Sequence, residues 1–279
     1  LFRTLLPDGT LLFGSEIKSF FANPDFQAKP DINALALRLA FEYPLDYTTL
    51  FSNVTSVAQG TIETWSVDKD GKAVLTGIAR YTDEKISPDK TWNPNQDAEI
   101  LLKSLYSGVE SRLMSDVPVG VVLSGGLDSS LIAALSKQVS DSKGAQSPDV
   151  WTVAGDENNP DMKAAIQVAE HYGLNHHKKI IDPEKFWRTL PNFIWSGEDL
   201  DVSVLFWQPL FEEMSQQVKV GICGQGADEL HAGYSRYKEL KKHSKLIDER
   251  LNDFGKISIE KEFIGLGQPW INSDFSAQN

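Results

Sequence analysis

The sequence of 279 residues predicts the α/β fold class, in which a doubly wound parallel sheet is preceded by a smaller β-rich domain. Two observations predict this architecture. Before about residue 83, short apolar runs are separated by turn-forming Asp, Gly and Pro residues, a pattern typical of antiparallel hairpins. From residue 96 onward, β-branched runs alternate with amphipathic helical patterns, as expected for parallel strands joined by crossover helices.

The amino-terminal part contains two hairpin patterns and one helical pattern. Two apolar runs flank Pro7-Asp8-Gly9, a tripeptide suited to a tight turn. Further along, apolar and polar residues alternate, and the alternation resumes after a turn that contains Asp and Gly. A helical spacing follows Pro30-Asp31, where Asp31 can cap the helix. The predicted elements are, in order, a hairpin at 5–14, a helix at 32–41, a strand at 61–67, a turn at 68–72 and a returning strand at 73–75.

A polar stretch with two prolines, residues 84–95, is predicted to be a linker. It divides the chain into a domain at 1–83 and a domain at 96–279. Gly173 is expected to cap the carboxyl end of a helix in the second domain. The elements predicted in that domain are helices at 98–114, 129–139, 161–172 and 206–217, and strands at 117–123, 150–154, 178–181 and 218–222.

The composition excludes several classes of function. With 41% apolar and 24% charged residues, the chain has an ordinary globular composition. Its net charge of −12 repels phosphate backbones, so we expect no nucleic-acid partner. No run approaches the roughly 18 consecutive apolar residues of a transmembrane helix, so we expect no membrane association. Cys223 is the single cysteine, which fits a reducing compartment, and we expect a cytoplasmic protein.

Other side chains are expected to have structural roles. We interpret Cys223 as a small buried residue at a strand end rather than as a nucleophile. His171, His176 and His177 lack the cysteines or carboxylates that would complete a zinc site, so structural or substrate-pocket roles are favoured. Four aromatic residues are expected in the core rather than in a base-stacking platform: Phe186, Trp187, Phe193 and Trp195.

The strongest motif lies at 121–130, where a buried strand pattern passes through Ser124-Gly125-Gly126 into a helix. The glycines let backbone N–H groups close on an anion, and the helix amino terminus adds partial positive charge. Asp128 supplies a hard oxygen ligand for a phosphate-bound Mg²⁺. The pattern lacks the Gly-Lys-Ser/Thr of a Walker loop and the Gly-x-Gly-x-x-Gly of dinucleotide sites. The residues therefore predict a pyrophosphate and metal site at the carboxyl end of this strand.

This loop resembles the PP-loop of ATP pyrophosphatases, and residues 116–130 as a whole resemble the synthetase domain of the glutamine-dependent asparagine synthetases. Four other segments resemble that family in the same order along the chain. Residues 224–230 are similar to its second nucleotide loop, and residues 12–18 to a segment late in its glutaminase domain. The remaining two are residues 159–165 and the pair His176-His177.

The resemblance implies a PP-loop synthetase domain at 96–279 and the last part of a glutaminase domain of the N-terminal-nucleophile, class II amidotransferase type at 1–83. We therefore expect the chain to be truncated at both ends. The implied activity is that of an AMP-forming carbon–nitrogen ligase of the glutamine-hydrolysing asparagine synthase type, with ATP and Mg²⁺ as cofactors. The implied partners are ATP, aspartate or another carboxylic acid, and ammonia or glutamine, with a homodimer left open.

The roles carried over from the family form one implied site. Asp128 and Asp228 would hold Mg²⁺. Asp161 and Glu229 would face the substrate, together with Gln225, which stands where the family has a glutamate. ATP and its pyrophosphate would be bound by Val122, Leu123, Ser124, Gly125, Gly126, Asp128, Ser129, Ser130, Ala154 and Gly224.

Three departures from the family pattern keep other activities open. Leu1 cannot act as the amino-terminal cysteine nucleophile of the glutaminase, so we expect no glutamine hydrolysis by this chain. Gln225 cannot accept a proton, and no arginine lies between Arg188 and Arg236, where the family has one. The alternatives are a ligase with an internal amine acceptor, as in β-lactam synthetases and lasso-peptide cyclases, and a nucleotide-binding relative without catalysis. A tRNA-modifying PP-loop enzyme is disfavoured by the net charge of −12.

Overall fold

A computed structural model of the protein describes residues 1–41, 47–81, 91, 93–199, 207–231, 233–234, 238–239, 241–242 and 245. The chain forms two units. The first comprises residues 1–87, 194–201 and 241–279, and the second comprises residues 88–193 and 202–240. Within the described part of the chain, no helix has the length and apolar character needed to cross a membrane.

The first unit is built on antiparallel strands. β1 (Phe2–Leu5) lies between β2 (Leu11–Gly14) and β3 (Thr55–Ser56) in a three-stranded sheet, so the hairpin predicted at 5–14 is present. β4 (Thr61–Val67) matches its predicted bounds and pairs with β5 (Ala73–Arg80), which extends five residues beyond the predicted returning strand.

A small apolar core holds the first unit together. Helix α1 (Ile32–Phe41) has the predicted bounds. A 3₁₀ helix at Ile17–Ala22 was not predicted, because only Ile17 and Phe20 are buried in its six residues and so short a segment shows no clear periodicity. The ring of Phe20 meets that of Phe26 edge-on, with centroids 5.4 Å apart. The buried cluster consists of Leu6, Ile17, Phe20, Phe26 and Val54.

Residues 194–201 belong to the first unit although they are distant in sequence. The buried carboxylate of Glu198 accepts hydrogen bonds from the backbone N–H groups of Ile17 and Lys18, at 2.7 and 2.6 Å. The buried guanidinium of Arg38 donates from Nε to Asp199 at 2.9 Å. These contacts tie the segment to the start of the 3₁₀ helix and to α1.

The second unit contains a four-stranded parallel sheet in the order β8-β7-β6-β9. Pairing with β7 starts the strand predicted at 178–181 two residues earlier, at His176. In chain order, the elements are α2 (Pro94–Leu113), β6 (Val119–Val122), α3 (Leu127–Ser142), β7 (Val150–Ala154), α4 (Pro160–Tyr172), β8 (His176–Ile180), α5 (Pro183–Gly197), α6 (Trp207–Met214), β9 (Val220–Ile222) and α7 (Ala227–His231); the last residues of α5 belong to the first unit.

Helices cover both faces of this sheet, as the predicted doubly wound fold requires. On one face, Val121 and Leu123 are fully buried in a cluster with Ala133 of α3 and Ala165 of α4. On the other face, Val122 of β6 and Trp151 of β7 are buried against α6. Because successive residues of a strand point to opposite faces, burial on both sides explains the nearly continuous apolar run of β6.

Three expectations about these elements are wrong. Helix α2 begins at Pro94, where Asn93 caps it, so the helix includes the end of the linker predicted at 84–95; residues 84–90 and 92 lie outside the described residues. Cys223 is exposed, since it follows the last residue of β9. Helix α5 contains none of the buried core residues expected there: Trp187 and Trp195 are each 59% exposed, and Phe186 and Phe193 are half-buried.

Candidate functional site

The predicted phosphate-binding loop lies between the carboxyl end of β6 and the amino end of α3. The strand is anchored by the buried side chains of Val121, Val122 and Leu123, after which Ser124 and Gly126 become exposed. The backbone therefore leaves the core within one residue. This arrangement puts the loop at the sheet edge where ligands bind in open α/β folds.

Gly125 brings the loop against the first turn of α4. Its φ of +80° lies in the left-handed region that favours glycine. A Cβ built on this residue would lie 2.5 Å from the carbonyl oxygen of Asp161 and 2.7 Å from the backbone nitrogen of Ala165. Both backbone conformation and close approach therefore require glycine here, and two of the predicted residues, Gly125 and Asp161, are neighbours in space.

The serine hydroxyls brace the loop internally. The backbone N–H of Ser124 donates to Oγ of Ser129 at 3.1 Å, and the two hydroxyl oxygens are 2.9 Å apart. Ser129 Oγ and Ser130 Oγ donate to the carbonyl of Gly126, at 3.2 and 2.7 Å. Ser129 is only 7% exposed. Its hydroxyl thus fixes the shape of the loop, while Ser124 and Ser130 are more accessible.

Helix α3 begins with free backbone donors. Within the described residues, no side chain caps its amino terminus, where Gly126 is the N-cap residue. The first N–H groups of an α-helix have no intrahelical partner, and they carry partial positive charge. At the end of a 16-residue helix, these groups can accommodate an anion.

The second predicted loop joins β9 to α7 and lies against the same helix end. β9 pairs with β6 in parallel, with Ile222 opposite Val121. A Cβ built on Gly224 would lie 2.9 Å from Cβ and the carbonyl carbon of Asp128. The loop that carries Gly224 therefore packs against the first turn of α3, and the two motifs form one site.

Glu229 is linked to two other residues of this second loop region. Tyr234 Oη donates to Glu229 Oε1 at 2.9 Å, and Gln225 Nε2 lies 3.5 Å from the same oxygen. Gln225 and Glu229 are both exposed. The predicted catalytic residues Gln225 and Glu229 are thus close enough for their side chains to act on one bound group.

The remaining predicted residues lie at the ends of β6 and β7 and in the first turn of α4. Asp161 is exposed in the first turn of α4, where Asn159 caps the helix. Ala154 is buried at the end of β7, and the side chains of Val122 and Leu123 are buried in the two cores. Both backbone groups of Leu123 are hydrogen-bonded within the sheet, its N–H to Trp151 and its carbonyl to Thr152.

The sequence does not predict Thr152 as a site residue. Thr152 lies in β7, where threonine is a common strand residue. Its hydroxyl donates to the carbonyl of Leu123 at 2.6 Å, a contact that the sequence pattern does not indicate. His176 Nε2 lies 2.7 Å from the same hydroxyl oxygen. The neighbouring His177 contacts the carboxylate of Asp149 at 2.7 Å and stacks on Trp151.

The donor set fits a magnesium ion that is bound together with phosphate. Asp128 lies at the start of α3 beside the Gly224 loop, and Asp228 lies in the first turn of α7, which follows that loop. Within the described residues, no cluster of three or more His, Cys, Asp or Glu side chains could hold a metal ion alone. Mg²⁺ is commonly held by one or two carboxylates plus substrate phosphates, which is the set that this site offers.

Comparison with known proteins identifies the family. The family model described as Asparagine synthase matches residues 101–263, which is more than half of the chain. The chain belongs to the asparagine synthase family. This confirms the resemblance derived from the sequence motifs, and the match includes both loops of the site.

Curated members of the asparagine synthase family match this chain over part of their length. Asparagine synthetase [glutamine-hydrolyzing] 1 of Bacillus subtilis is 29% identical over 86% of this chain and 36% of that protein. Asparagine synthetase B [glutamine-hydrolyzing] of Escherichia coli is 34% identical over 55% of this chain and 30% of that protein. The asparagine synthetase [glutamine-hydrolyzing] of Asparagus officinalis is 37% identical over 50% of this chain and 25% of that protein. The chain matches between 25% and 36% of the length of these relatives.

A solved structure was also matched. The NH3-dependent NAD synthetase from Campylobacter jejuni aligns with 49% of this chain and 60% of that chain, at 19% identity and a TM-score of 0.35.

Proposed function

We propose that the second unit is the ATP-binding part of an amide-forming ligase that activates a carboxylic acid by adenylation. The observation that carries the proposal is the convergence of two loops on the amino end of α3. Gly125 and Gly224 each pack so closely that a side chain would collide with backbone. Membership of the asparagine synthase family supports the same conclusion.

In the proposed first step, the loop from Ser124 to Ser130 binds the β- and γ-phosphates of ATP through backbone N–H groups and hydroxyls. Val122, Ala154 and Gly224 lie where the adenosine would be bound. A carboxylate oxygen of the acid attacks the α-phosphorus, the bond from the α-phosphorus to the bridging oxygen breaks, and pyrophosphate leaves. The chain carries a net charge of −12, so local donors rather than a basic surface must meet the phosphates.

Mg²⁺, held by Asp128 and Asp228 with the phosphate oxygens, would neutralise the charge that develops on the pyrophosphate. Beyond this, the protein contributes mainly alignment. The rigid packing of the loop against α4 and the Gly224 segment fixes the direction in which the α-phosphorus faces the acid.

In the proposed second step, ammonia attacks the acyl carbon, the bond to the AMP oxygen breaks, and the amine nitrogen loses a proton. Gln225 cannot take this proton, but Glu229 can, and its carboxylate lies 3.5 Å from the Gln225 amide. We assign Glu229 as the proton acceptor and Gln225 as an orienting group, with Asp161 on the substrate side. Aspartate is the first acid to test, which would make the product asparagine.

Residues 1–83 are proposed to be the last part of a glutaminase domain, followed by a linker that ends before α2 and by a synthetase domain that begins with that helix at Pro94. The alignment with the Bacillus subtilis protein extends over 86% of this chain, which is more than the synthetase domain alone accounts for. Glutamine as the ammonia source and a cytoplasmic location belong to the same proposal.

A second candidate function is a ligase whose acceptor is an amine within the activated acid. The observation that favours it is Gln225, since its side chain cannot act as the base that the family's glutamate is proposed to be. Such an enzyme would release AMP and pyrophosphate without added ammonia.

The test is to incubate the full chain with ATP, Mg²⁺ and aspartate, with and without ammonia, and to measure pyrophosphate. We expect pyrophosphate and asparagine only when ammonia is present. Pyrophosphate release that is independent of ammonia, with a suitable acid, would support the internal-amine alternative.

Asp128→Asn is the decisive variant in this assay, because it removes a metal ligand while retaining shape. We expect loss of at least a hundredfold in turnover, in line with lost electrostatic stabilisation of a transition state. Asp141→Asn, near the other end of α3, is the matched control, since the exposed Asp141 carboxylate forms an ion pair with Lys137 within the described residues and lies away from the loop. Release of ADP and phosphate instead of pyrophosphate would refute the proposed function.

A further inference from the structure

A hydrogen-bond chain crosses three neighbouring strands and ends at the start of the phosphate-binding loop. β6 ends at Val122. The next residue, Leu123, still donates from its backbone N–H to the carbonyl of Trp151 at 2.8 Å, and its own carbonyl accepts a hydrogen bond from Thr152 Oγ1 at 2.6 Å. The same hydroxyl oxygen lies 2.7 Å from Nε2 of His176, the first residue of β8. Thr152 is 2% exposed, so its hydroxyl has no access to bulk water.

The chemistry of the three groups fixes the direction of the chain. A carbonyl oxygen only accepts, so the single hydroxyl proton of Thr152 is directed to Leu123. Thr152 Oγ1 can then only accept from His176, and Nε2 of the imidazole must carry a hydrogen. The order of donation is therefore from His176 through Thr152 to the carbonyl of Leu123.

The surroundings keep the imidazole of His176 uncharged at neutral pH. Burial, followed by the positive charge of Lys178 and the neighbouring His177, lowers the pKa of His176 to about 4. The ring is thus a neutral donor with its hydrogen on Nε2. The chain needs no change of charge to persist across the physiological range.

The carbonyl at the end of the chain shares a peptide plane with the first N–H of the loop. Leu123 C=O and Ser124 N–H belong to one rigid peptide unit. Thr152 holds the carbonyl end, and Ser129 Oγ accepts from the N–H end at 3.1 Å. With both ends held, this plane has one orientation, and it sets the direction in which Gly125 and Gly126 leave the sheet.

We propose that His176 and Thr152 are positioning residues that hold the first peptide of the phosphate-binding loop in the orientation that binds the phosphates of ATP. The phosphate part of this inference rests on the proposed function. The orientation part stands on the hydrogen bonds alone and can be tested without substrate.

The first test replaces Thr152 by valine, which has the same shape without the hydroxyl, and by serine, which restores it. Amide hydrogen exchange of a peptide covering residues 123–126 is measured by mass spectrometry on the full chain. Loss of one buried hydrogen bond should speed exchange about tenfold in Thr152→Val. Thr152→Ser should restore slow exchange. Thr189→Val is the matched control, because Thr189 Oγ1 also donates to a backbone carbonyl but lies in α5.

The second test measures pyrophosphate release by the same variants. Because the loop binds the same phosphates before and during the reaction, Thr152→Val should raise the KM for ATP about tenfold and change kcat less. The KM for the acid should not change. A merely structural defect would instead lower the amount of active protein and leave the KM for ATP unaltered.

A variant pair at His176 keeps the inference testable if Thr152→Val does not fold. His176→Gln retains an N–H donor near the position of Nε2, whereas His176→Leu removes it. We expect faster loop exchange and a higher KM for ATP in the leucine variant than in the glutamine variant.

The two proposals fail in different ways. Unchanged exchange and unchanged KM for ATP in Thr152→Val, or a serine variant as impaired as the valine variant, would overturn the positioning role. A wild-type chain that releases no pyrophosphate would overturn the proposed function, while the exchange measurement would still decide whether the hydrogen-bond chain orders the loop.

Discussion

Gly224 lies so close to Asp128 that a Cβ on the glycine would be 2.9 Å from the aspartate's own Cβ. The carbonyl carbon of Asp128 and the backbone nitrogen of Ser129 are equally close. Because two of the three neighbouring atoms are backbone, the clash cannot be relieved by a side-chain rotation. This contact sets the distance between the two loops of the site.

Gly224→Ala should therefore weaken ATP binding. Overpacking of this kind costs about 1–3 kcal/mol, which corresponds to a rise of about tenfold in the KM for ATP if the loop is displaced from α3. Gly155→Ala is the control, since a Cβ on Gly155 meets nothing within 4 Å. Steady-state kinetics that show equal KM values for ATP in both variants would contradict the proposed role of the contact.

Gly125→Ala should lower the free energy of unfolding more than Gly144→Ala does, because Gly125 has both a positive φ and a close neighbour whereas Gly144 has only the positive φ. At Gly144, φ is +60° but no atom lies within 4 Å of a built Cβ, so Gly144→Ala should cost about 1–2 kcal/mol from the left-handed conformation. Gly125 combines a φ of +80° with a clash against Asp161, so we expect a further loss of about 1–3 kcal/mol. Urea denaturation of both variants provides the comparison, and equal losses would argue against close packing of the loop on α4.

Glu198 should be needed for order at the start of the 3₁₀ helix of the first unit. Its buried carboxylate accepts two backbone hydrogen bonds, from Ile17 and Lys18, and loss of such charged acceptors costs about 1.5–3 kcal/mol. Glu198→Ala should accordingly speed amide exchange in residues 17–22 by at least tenfold. Glu16→Ala is the control, because, in the part of the chain that the structure describes, the exposed Glu16 carboxylate forms an ion pair with Lys18 and accepts no backbone hydrogen bond. Similar exchange in the two variants would refute this assignment.

The stability of the protein should fall on acidification in a way that depends on His176. Its pKa is lowered from 6.5 to about 4, mainly by burial. The unfolded chain therefore binds more protons than the folded chain does between about pH 4 and about pH 6.5. The stabilisation is fully present above about pH 6.5 and is lost as the pH falls toward about 4. His176→Gln should lose less stability between about pH 7 and about pH 5 than the wild type does, as measured by urea denaturation.

His171→Gln is the control, because His171 is exposed and its replacement removes an imidazole at the surface. If His176→Gln and the wild type show the same dependence of unfolding free energy on pH, then the environment assigned to His176 is wrong.

Local patterns were sufficient to predict most elements of both units. β7 was predicted with its observed bounds, because a β-branched run between turn residues is distinctive. The helix that ends at Tyr172 was recognised from Gly173, which adopts the left-handed conformation expected of a cap. The 3₁₀ helix at Ile17–Ala22 and helix α5 were not predicted, because their segments show neither a β-branched run nor a glycine cap.

Features of the site that depend on contacts distant in sequence could not be predicted. The role of Ser129 as an internal brace and that of Thr152 as a donor depend on backbone groups brought together by the sheet. The exposure of Cys223 depends on where β9 ends relative to its neighbours, which its own residues do not specify. The phosphate role of the 124–130 loop was predicted from glycine, serine and aspartate at a strand-to-helix junction, whereas the roles of Gly224, Asp228 and Glu229 were implied by the family resemblance, and both sets of roles remain predictions.

An oxygen atom of the acid distinguishes adenylation from phosphorylation. Aspartate labelled with heavy oxygen in its side-chain carboxylate is incubated with the full chain, ATP, Mg²⁺ and ammonia, and the nucleotide products are analysed by mass spectrometry. Adenylation at the Ser124–Ser130 loop predicts that one labelled oxygen per amide formed appears in the phosphate of AMP. Label in inorganic phosphate together with ADP would contradict the account, because the acid would then have attacked the γ-phosphorus.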